Sequence, residues 1–253
     1  MKLDIQLIRH ATLRIKIDEL NLLVDPMLSD QGAMPPIQDS GDERRNPLVP
    51  LTMPMDEIMR GINAVLVTHT HRDHWDAAAS ELIPKRMRIL CQPEDADKFH
   101  EWGFDDVRAI HSAAVFGHVS IYRTGAEHGT GDLAKAMAPV SGYFLNSRKG
   151  DSLYIAGDSI FCNHVKDVLR TYRPHVTVLN TGAARFTYGD PITMTEKDVV
   201  RVVRQAPFTK VVAVHMESIN HCGLTRKDLA RHLADNGIGE QVVIPLDGER
   251  LQF

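Results

Sequence analysis

The sequence predicts an α/β protein layered on mixed β-sheets. Three observations carry the prediction. Apolar runs of strand length recur along the 253 residues. They come consecutively at the start of each half and alternate with helical segments further on, the pattern of packed sheet and helix layers. Four of them stop at a histidine or an aspartate, and sheets of this kind gather their sites beyond strand ends.

Residues 3–8 and 12–17 alternate apolar with polar, as half-buried strands do, and Leu20–Val24 completes an N-terminal meander that stops at Asp25-Pro26. Residues 26–50 carry five prolines among scattered Asp, Gly and Arg. A loop this long within a single domain spanning 1–253 reads as a flap over a site, with a surface insertion as the alternative. The apolar run 63–67 reads as a buried strand, and 76–86 and 93–102 read as helices, the second opening with Pro93-Glu94-Asp95. Short strands follow near 107–110, 113–116 and 119–124, then 142–145 and 152–156. Helix 163–172, strand 175–179, a helix from Thr195 to about Gln205, strand 211–214 and a helix from Thr225 to Asn236 alternate thereafter. The caps are legible in Thr195-Glu196-Lys197-Asp198 and Thr225-Arg226-Lys227-Asp228. Val242-Val243-Ile244 reads as a last strand paired with the final residues.

Composition narrows the function classes. A 43% hydrophobic and 25% charged chain is ordinary for a globular protein. The net charge of −4 argues against general nucleic-acid attraction, and no apolar run is long enough to cross a bilayer. The charged opening Met1–Arg9 lacks the apolar stretch of a secretion signal, and Cys91, Cys162 and Cys222 show no pairing pattern. Both features lead to an expectation of a cytoplasmic protein without disulfides. There is no glycine-rich phosphate loop and no nucleophile elbow. The expected partner is a small-molecule substrate, with homo-oligomers common among such proteins.

The chemistry concentrates in His69-Thr70-His71-Arg72-Asp73-His74, directly after strand 63–67. Three other apolar runs end in the same residue types: 120–127 at His128, 152–156 at Gly157-Asp158, and 211–214 at His215. Nitrogen and oxygen donors of this kind suit a borderline divalent metal, zinc first, with manganese and iron compatible. One tetrahedral ion needs three protein ligands and a water, so five histidines and two aspartates are too many for one ion and about right for two.

These residues also carry a resemblance. The motif His69-x-His71-x-Asp73-His74, the isolated His128, Gly157-Asp158-Ser159 and His215 resemble the metallo-β-lactamase fold superfamily. The opening from Ile8-Arg9-His10 through Val24-Asp25-Pro26 is similar to its ascorbate-6-phosphate lactonase-like metal-dependent hydrolases. The resemblance implies a four-layer αββα sandwich of two mixed sheets flanked by helices. It implies one divalent ion on His69, His71 and His128, a second on Asp73, His74 and His215, and Asp158 as a bridge. The activity implied is hydrolysis by a hydroxide shared between the ions, acting on an ester-like bond such as a lactone or phosphoester. Asp73 would orient that nucleophile, and His221 is the candidate for substrate contact or proton donation.

Competing assignments exist for several residues. His10 and Asp25 stand near the site, Asp25 as an orienter of a ligand imidazole, or serve as turn residues. Glu217 is another candidate orienter. Arg44, Arg45 and Arg185 hint at an anionic substrate group, and loop 181–191 joins the flap in shaping the pocket. An iron-dependent sulfur oxygenase and a non-catalytic metal-binding protein are the alternatives. The full second donor set weighs against both.

Overall fold

The alternating pattern of the first strands folds into an antiparallel meander, and the remaining strands build outward from it. The computed structural model describes residues 3–253. In the first half these are β1 (Leu3–Arg9), β2 (Thr12–Ile17), β3 (Leu20–Val24), α1 (Met55–Met59), β4 (Ala64–Val67), α2 (Ala77–Leu82), β5 (Arg88–Cys91), α3 (Ala96–Glu101) and β6 (Val107–Ala109). The second half holds β7 (Ala113–Phe116), β8 (Val119–Gly125), α4 (Gly131–Met137), β9 (Ser141–Ser147), β10 (Ser152–Ile155), α5 (Asn163–Tyr172) and β11 (Val176–Asn180). It closes with α6 (Glu196–Gln205), β12 (Lys210–Val214), α7 (Arg226–Asp235), β13 (Val242–Val243) and β14 (Arg250–Gln252).

Two seven-stranded sheets result, ordered β14-β1-β2-β3-β4-β5-β6 and β13-β12-β11-β10-β9-β8-β7. Apolar residues of both sheets, from Ile5, Ile15 and Leu66 to Ile121, Val178 and Val212, meet in the central core. The outer face of the first sheet packs on α1–α3 through Val65, Ile89, Trp75 and Phe99. That of the second packs on α5–α7 through Tyr154, Leu169, Val203 and Leu229. The order is helix, sheet, sheet, helix: the αββα sandwich. Both helix caps read from the sequence are present, Thr195 as a reciprocal capping box with Asp198 and Thr225 accepting from the Asp228 amide.

Several boundaries differ from the sequence reading. Strand β5 falls between the two helices of the first half, where none was expected. Its four residues are a central parallel strand buried on both faces, too short to show a period. The helix expected over 76–86 stops at Leu82, and that expected over 93–102 is a 3-10 turn at Pro93–Asp95 followed by α3. Helices α1 and α4 were not anticipated; α1 buries only Ile58 and α4 buries nothing. The last strand does not pair with the C-terminal residues. β13 runs parallel to β12, while β14 crosses to the other sheet and pairs antiparallel with β1.

Strand direction sets where the site lies. β3 and β4 are parallel, as are β10, β11 and β12, and β8 runs with them because it is antiparallel to β9. Their C-terminal ends therefore open on one edge of the sandwich. Residues 26–50 fold back against that edge and are held by a buried cation. Arg9, 0% exposed, donates to the carbonyls of Met27 (2.8 Å), Ser29 (2.9 Å) and Val49 (2.9 Å). Asn46 and Asn220 join the same segment to the loop after β12 at 2.8 Å. Replacing Arg9 by Leu orphans three carbonyls, and hydrogen bonds to charged groups are worth about 1.5–3 kcal/mol each. Arg9→Leu is expected to lose about 2–4 kcal/mol in urea unfolding; a loss below about 1 kcal/mol would show that the segment is held elsewhere.

Candidate metal centre

Each donor arrives on a strand end. β4 runs out at Thr68 and delivers His69, His71, Asp73 and His74; β8 leads to His128, β10 to Asp158 and β12 to His215. All but His71 are buried, and His71 is partly so. Two glycines make the approach feasible. Gly157 has φ +64°, and a Cβ there would stand 2.5 Å from the Ser141 carbonyl oxygen. A Cβ at Gly182 would stand 2.2 Å from the His215 carbonyl oxygen. No other residue fits either position without displacing a strand end.

The donor atoms form two groups joined by a carboxylate. His69, His71 and His128 make one; Asp73, His74 and His215 make the other, with His10 beside them. His69 Nε2 and His71 Nδ1 are 3.0 Å apart, and His74 Nε2 and His215 Nε2 are 3.3 Å apart. Asp158 lies between the groups. Its Oδ2 is 3.3 Å from His128 Nε2 and 3.2 Å from His74 Nε2, and its Oδ1 is 3.3 Å from His215 Nε2. Asn180, at the end of β11, donates to Oδ1 at 2.6 Å and fixes the carboxylate plane.

The outer nitrogens decide which way the lone pairs point. His128 Nδ1 faces the Ile192 carbonyl oxygen at 2.7 Å and must donate to it. His74 Nδ1 donates to Asp25 Oδ2 at 2.9 Å. Thr68 gives its hydroxyl proton to the same oxygen at 2.7 Å, which leaves its Oγ1 to accept from His69 Nδ1 at 3.0 Å. With their outer nitrogens donating, His69, His74 and His128 all turn Nε2 toward the Asp158 carboxylate, each offering a lone pair once it gives up any proton held there. Converging lone pairs and a carboxylate repel unless a cation lies among them, so the donor set fits divalent metal ions.

The electrostatics agree. Burial alone would raise the Asp73 and Asp158 carboxyls, yet the surrounding imidazoles hold both well below the ordinary range. Burial opposes charge on His74, but Asp158, Asp73 and Asp25 carry its pKa up to about 10. A field that draws a proton onto a buried imidazole draws a metal cation as strongly.

His10, Asp25 and Cys222 complete the surroundings. His10 sits in the β1–β2 turn in the left-handed region (φ 60°), its carbonyl accepts from the His215 amide at 3.0 Å, and its ring lies 3.6 Å from the His215 ring. Burial pushes its pKa down to about 3, so the neutral ring donates Nε2–H to Asp73 Oδ2 at 3.1 Å. Asp25 orients two donors at once, through Thr68 and through His74. Cys222 Sγ lies 3.6 Å from His215 Nδ1 and is the partner of that ring's outer nitrogen. Thr68, Asn180 and Cys222 were not singled out in the sequence, because nothing local marks a threonine, asparagine or cysteine as a partner of a distant imidazole.

Other candidates stand elsewhere. Glu217 pairs with Arg226 at 2.5 Å rather than orienting a histidine. Arg44 pairs with Asp42, Arg45 donates to the carbonyls of Gly32 and Ala33, and Arg185 borders a separate surface groove. The cation beside the donors is instead Arg72, whose Nη2 donates to the Pro36 carbonyl at 2.7 Å. It lines a cavity of about 200 Å³ with His71, Asp73, His128 and His221, closed by Ile37, Met137 and Phe186. Removing the orienting carboxylate is expected to weaken metal binding: Asp25→Ala should lower affinity roughly 10–100-fold in chelator competition. Unchanged affinity would leave Asp25 a turn residue only.

Comparison with known proteins places the chain. Residues 20–216 match the family model described as "Beta-lactamase superfamily domain". The UPF0173 protein YddR of Bacillus subtilis is 33% identical over 99% of this chain and 100% of its own length. The crystal structure of a possible metal-dependent hydrolase from Veillonella parvula superposes with a TM-score of 0.97 at 32% identity, covering 100% of both chains. That of an isothiocyanate hydrolase from Delia radicum gut bacteria superposes with a TM-score of 0.95 at 35% identity, covering 99% of both chains. Within the described residues, no helix is long and apolar enough to cross a membrane. With its fold and donor cluster in agreement with these matches, the chain belongs to the beta-lactamase superfamily domain family.

Proposed function

We propose that the protein is a metal-dependent hydrolase that adds water to the central carbon of a small isothiocyanate. The observation that carries this reading is the position of the donors at the floor of a small cavity whose other walls are largely apolar. Support for the substrate class comes from the 35% identity to an isothiocyanate hydrolase along nearly the whole chain.

His69, His71, His74, His128, His215, Asp73 and Asp158 would hold two divalent ions, which would supply hydroxide at neutral pH by bringing the pKa of bound water down toward about 7. Asp73 would orient that nucleophile and take its proton. Its carboxylate faces the cavity, is held ionised by the imidazoles around it, and is steadied by the His10 N–H. The oxygen of water bonds to the carbon of R–N=C=S, and the C=N electron pair moves to nitrogen. His221, lining the same cavity, is the group to protonate that nitrogen. The C–N bond then breaks, releasing R–NH2 and carbonyl sulfide, with both protons of the water on the amine. Residues 26–50, which contribute Ile37, act as the flap.

A second reading is favoured by Arg72. Its guanidinium at the cavity wall would suit an ester or lactone bearing a carboxylate. The two are separated by assaying the metal-loaded protein, prepared without chelators, on simple isothiocyanates and on carboxylated lactones, following amine and acid release. Amine release that vanishes on chelation and returns with zinc or manganese supports the first reading. Turnover of the lactones alone replaces it with the second. In either case Asp73→Ala is expected to cost roughly 10²–10⁴-fold in kcat with the fold retained; activity within tenfold of the parent would remove Asp73 from the role.

A further inference from the structure

The walls of the cavity differ in stiffness and chemistry from its floor. Ile37 is clamped on its backbone, since its N–H donates to Asn220 Oδ1 at 2.9 Å and its carbonyl accepts from Asn220 Nδ2 at 3.2 Å. Phe186 is clamped on both sides: the Arg185 amide donates to the His221 carbonyl at 3.0 Å and the Thr187 amide to the Asp39 carbonyl at 2.6 Å. Its ring stacks on Tyr188 with centroids 5.5 Å apart and planes 13° from parallel. Met137 closes the third side from the end of α4, the helix that buries no residue of its own. An unbranched thioether on a loosely packed helix adapts to what it meets. All three side chains are only partly buried, so they are apolar surface left facing the donors rather than core.

We infer that Ile37, Phe186 and Met137 are specificity-determining residues that hold the organic group of the substrate, selecting an uncharged group about the size of one aromatic ring. The inference rests on the proposed hydrolysis being the work of this cavity. Size follows from volume: an apolar cavity of about 150 Å³ accommodates a benzene ring, and this one measures about 200 Å³. The surplus leaves room for the reacting N=C=S atoms over the donors. Two fixed walls, one of them aromatic, favour a flat ring by aromatic contact and by removal of apolar area from water. The third wall adjusts to its length. A methyl group would leave the cavity unfilled. A carboxylate would have to compete with the Pro36 carbonyl for Arg72 while facing Asp73.

The test compares benzyl, methyl and carboxyethyl isothiocyanate on the metal-loaded protein and on Phe186→Ala, Ile37→Ala and Met137→Ala. The parent is expected to prefer benzyl over methyl by roughly tenfold or more in kcat/KM, the scale on which an apolar pocket discriminates. Phe186→Ala and Ile37→Ala should each reduce that benzyl-to-methyl ratio by roughly tenfold, chiefly through KM, and Met137→Ala by less. Phe186→Leu, which keeps volume but not the aromatic face, should fall between. A ratio unchanged in all variants, or a parent that prefers the carboxyethyl compound, overturns the inference while leaving the hydrolysis standing. Calorimetric binding of benzylamine against methylamine reads the same walls without turnover. If no isothiocyanate is hydrolysed but benzylamine still binds more tightly through Phe186, the proposed reaction fails and the assignment of the walls survives.

Discussion

The Asp158 carboxylate is the point at which the two sheets meet in charge as well as in space. It sits within 3.3 Å of imidazole nitrogens delivered by β4, by β8 and by β12. One of those strands belongs to the first sheet and two to the second. Burying a carboxylate costs several kcal/mol unless positive charge or hydrogen bonds compensate it. Compensation here requires the strand ends of both sheets in register on one edge. The central core of branched apolar side chains provides that register, because interdigitated packing allows little sliding of one sheet over the other.

The surroundings of the donors follow from the same demand. An imidazole can offer its inner nitrogen to a cation only if something holds the proton on its outer nitrogen. The chain supplies a different partner for each: a carboxylate for His74, a hydroxyl relayed to that carboxylate for His69, a backbone carbonyl for His128 and a thiol for His215. Asp25 serves two of the four, so the site is stiffened from the first sheet by a single residue at the end of β3. The strained backbone of His10 and His215, both at positive φ without being glycine, lies in this same contact zone. Strain of that kind persists only where the surrounding packing fixes it, and the two residues are bonded backbone to backbone.

The floor and the walls of the cavity come from different parts of the fold. Donors rise from strands and turns that the core holds rigid. Ile37 and Phe186 come from connecting segments and Met137 from the end of α4, a helix that buries no residue in the core. The proposed chemistry thereby rests on the sandwich, and the proposed substrate choice on three side chains that the central core does not hold.

The sequence by itself determined every strand but the short β5, the caps at Thr195 and Thr225, and the residue types at strand ends, because each is written in a local pattern: alternation, a Thr-x-x-Asp spacing, a histidine following an apolar run. It also made His10 and Asp25 noticeable without deciding between a turn role and a site role. Tertiary structure decided that question, since His10 reaches Asp73 across 63 positions and Asp25 reaches Thr68 across 43. It decided likewise that β14 pairs with β1 and not with β13, that Arg72 rather than Arg44, Arg45 or Arg185 stands at the cavity, and that Glu217 serves Arg226. In each case the deciding contact joins residues far apart along the chain, and its energy depends on burial and distance, which no local pattern encodes.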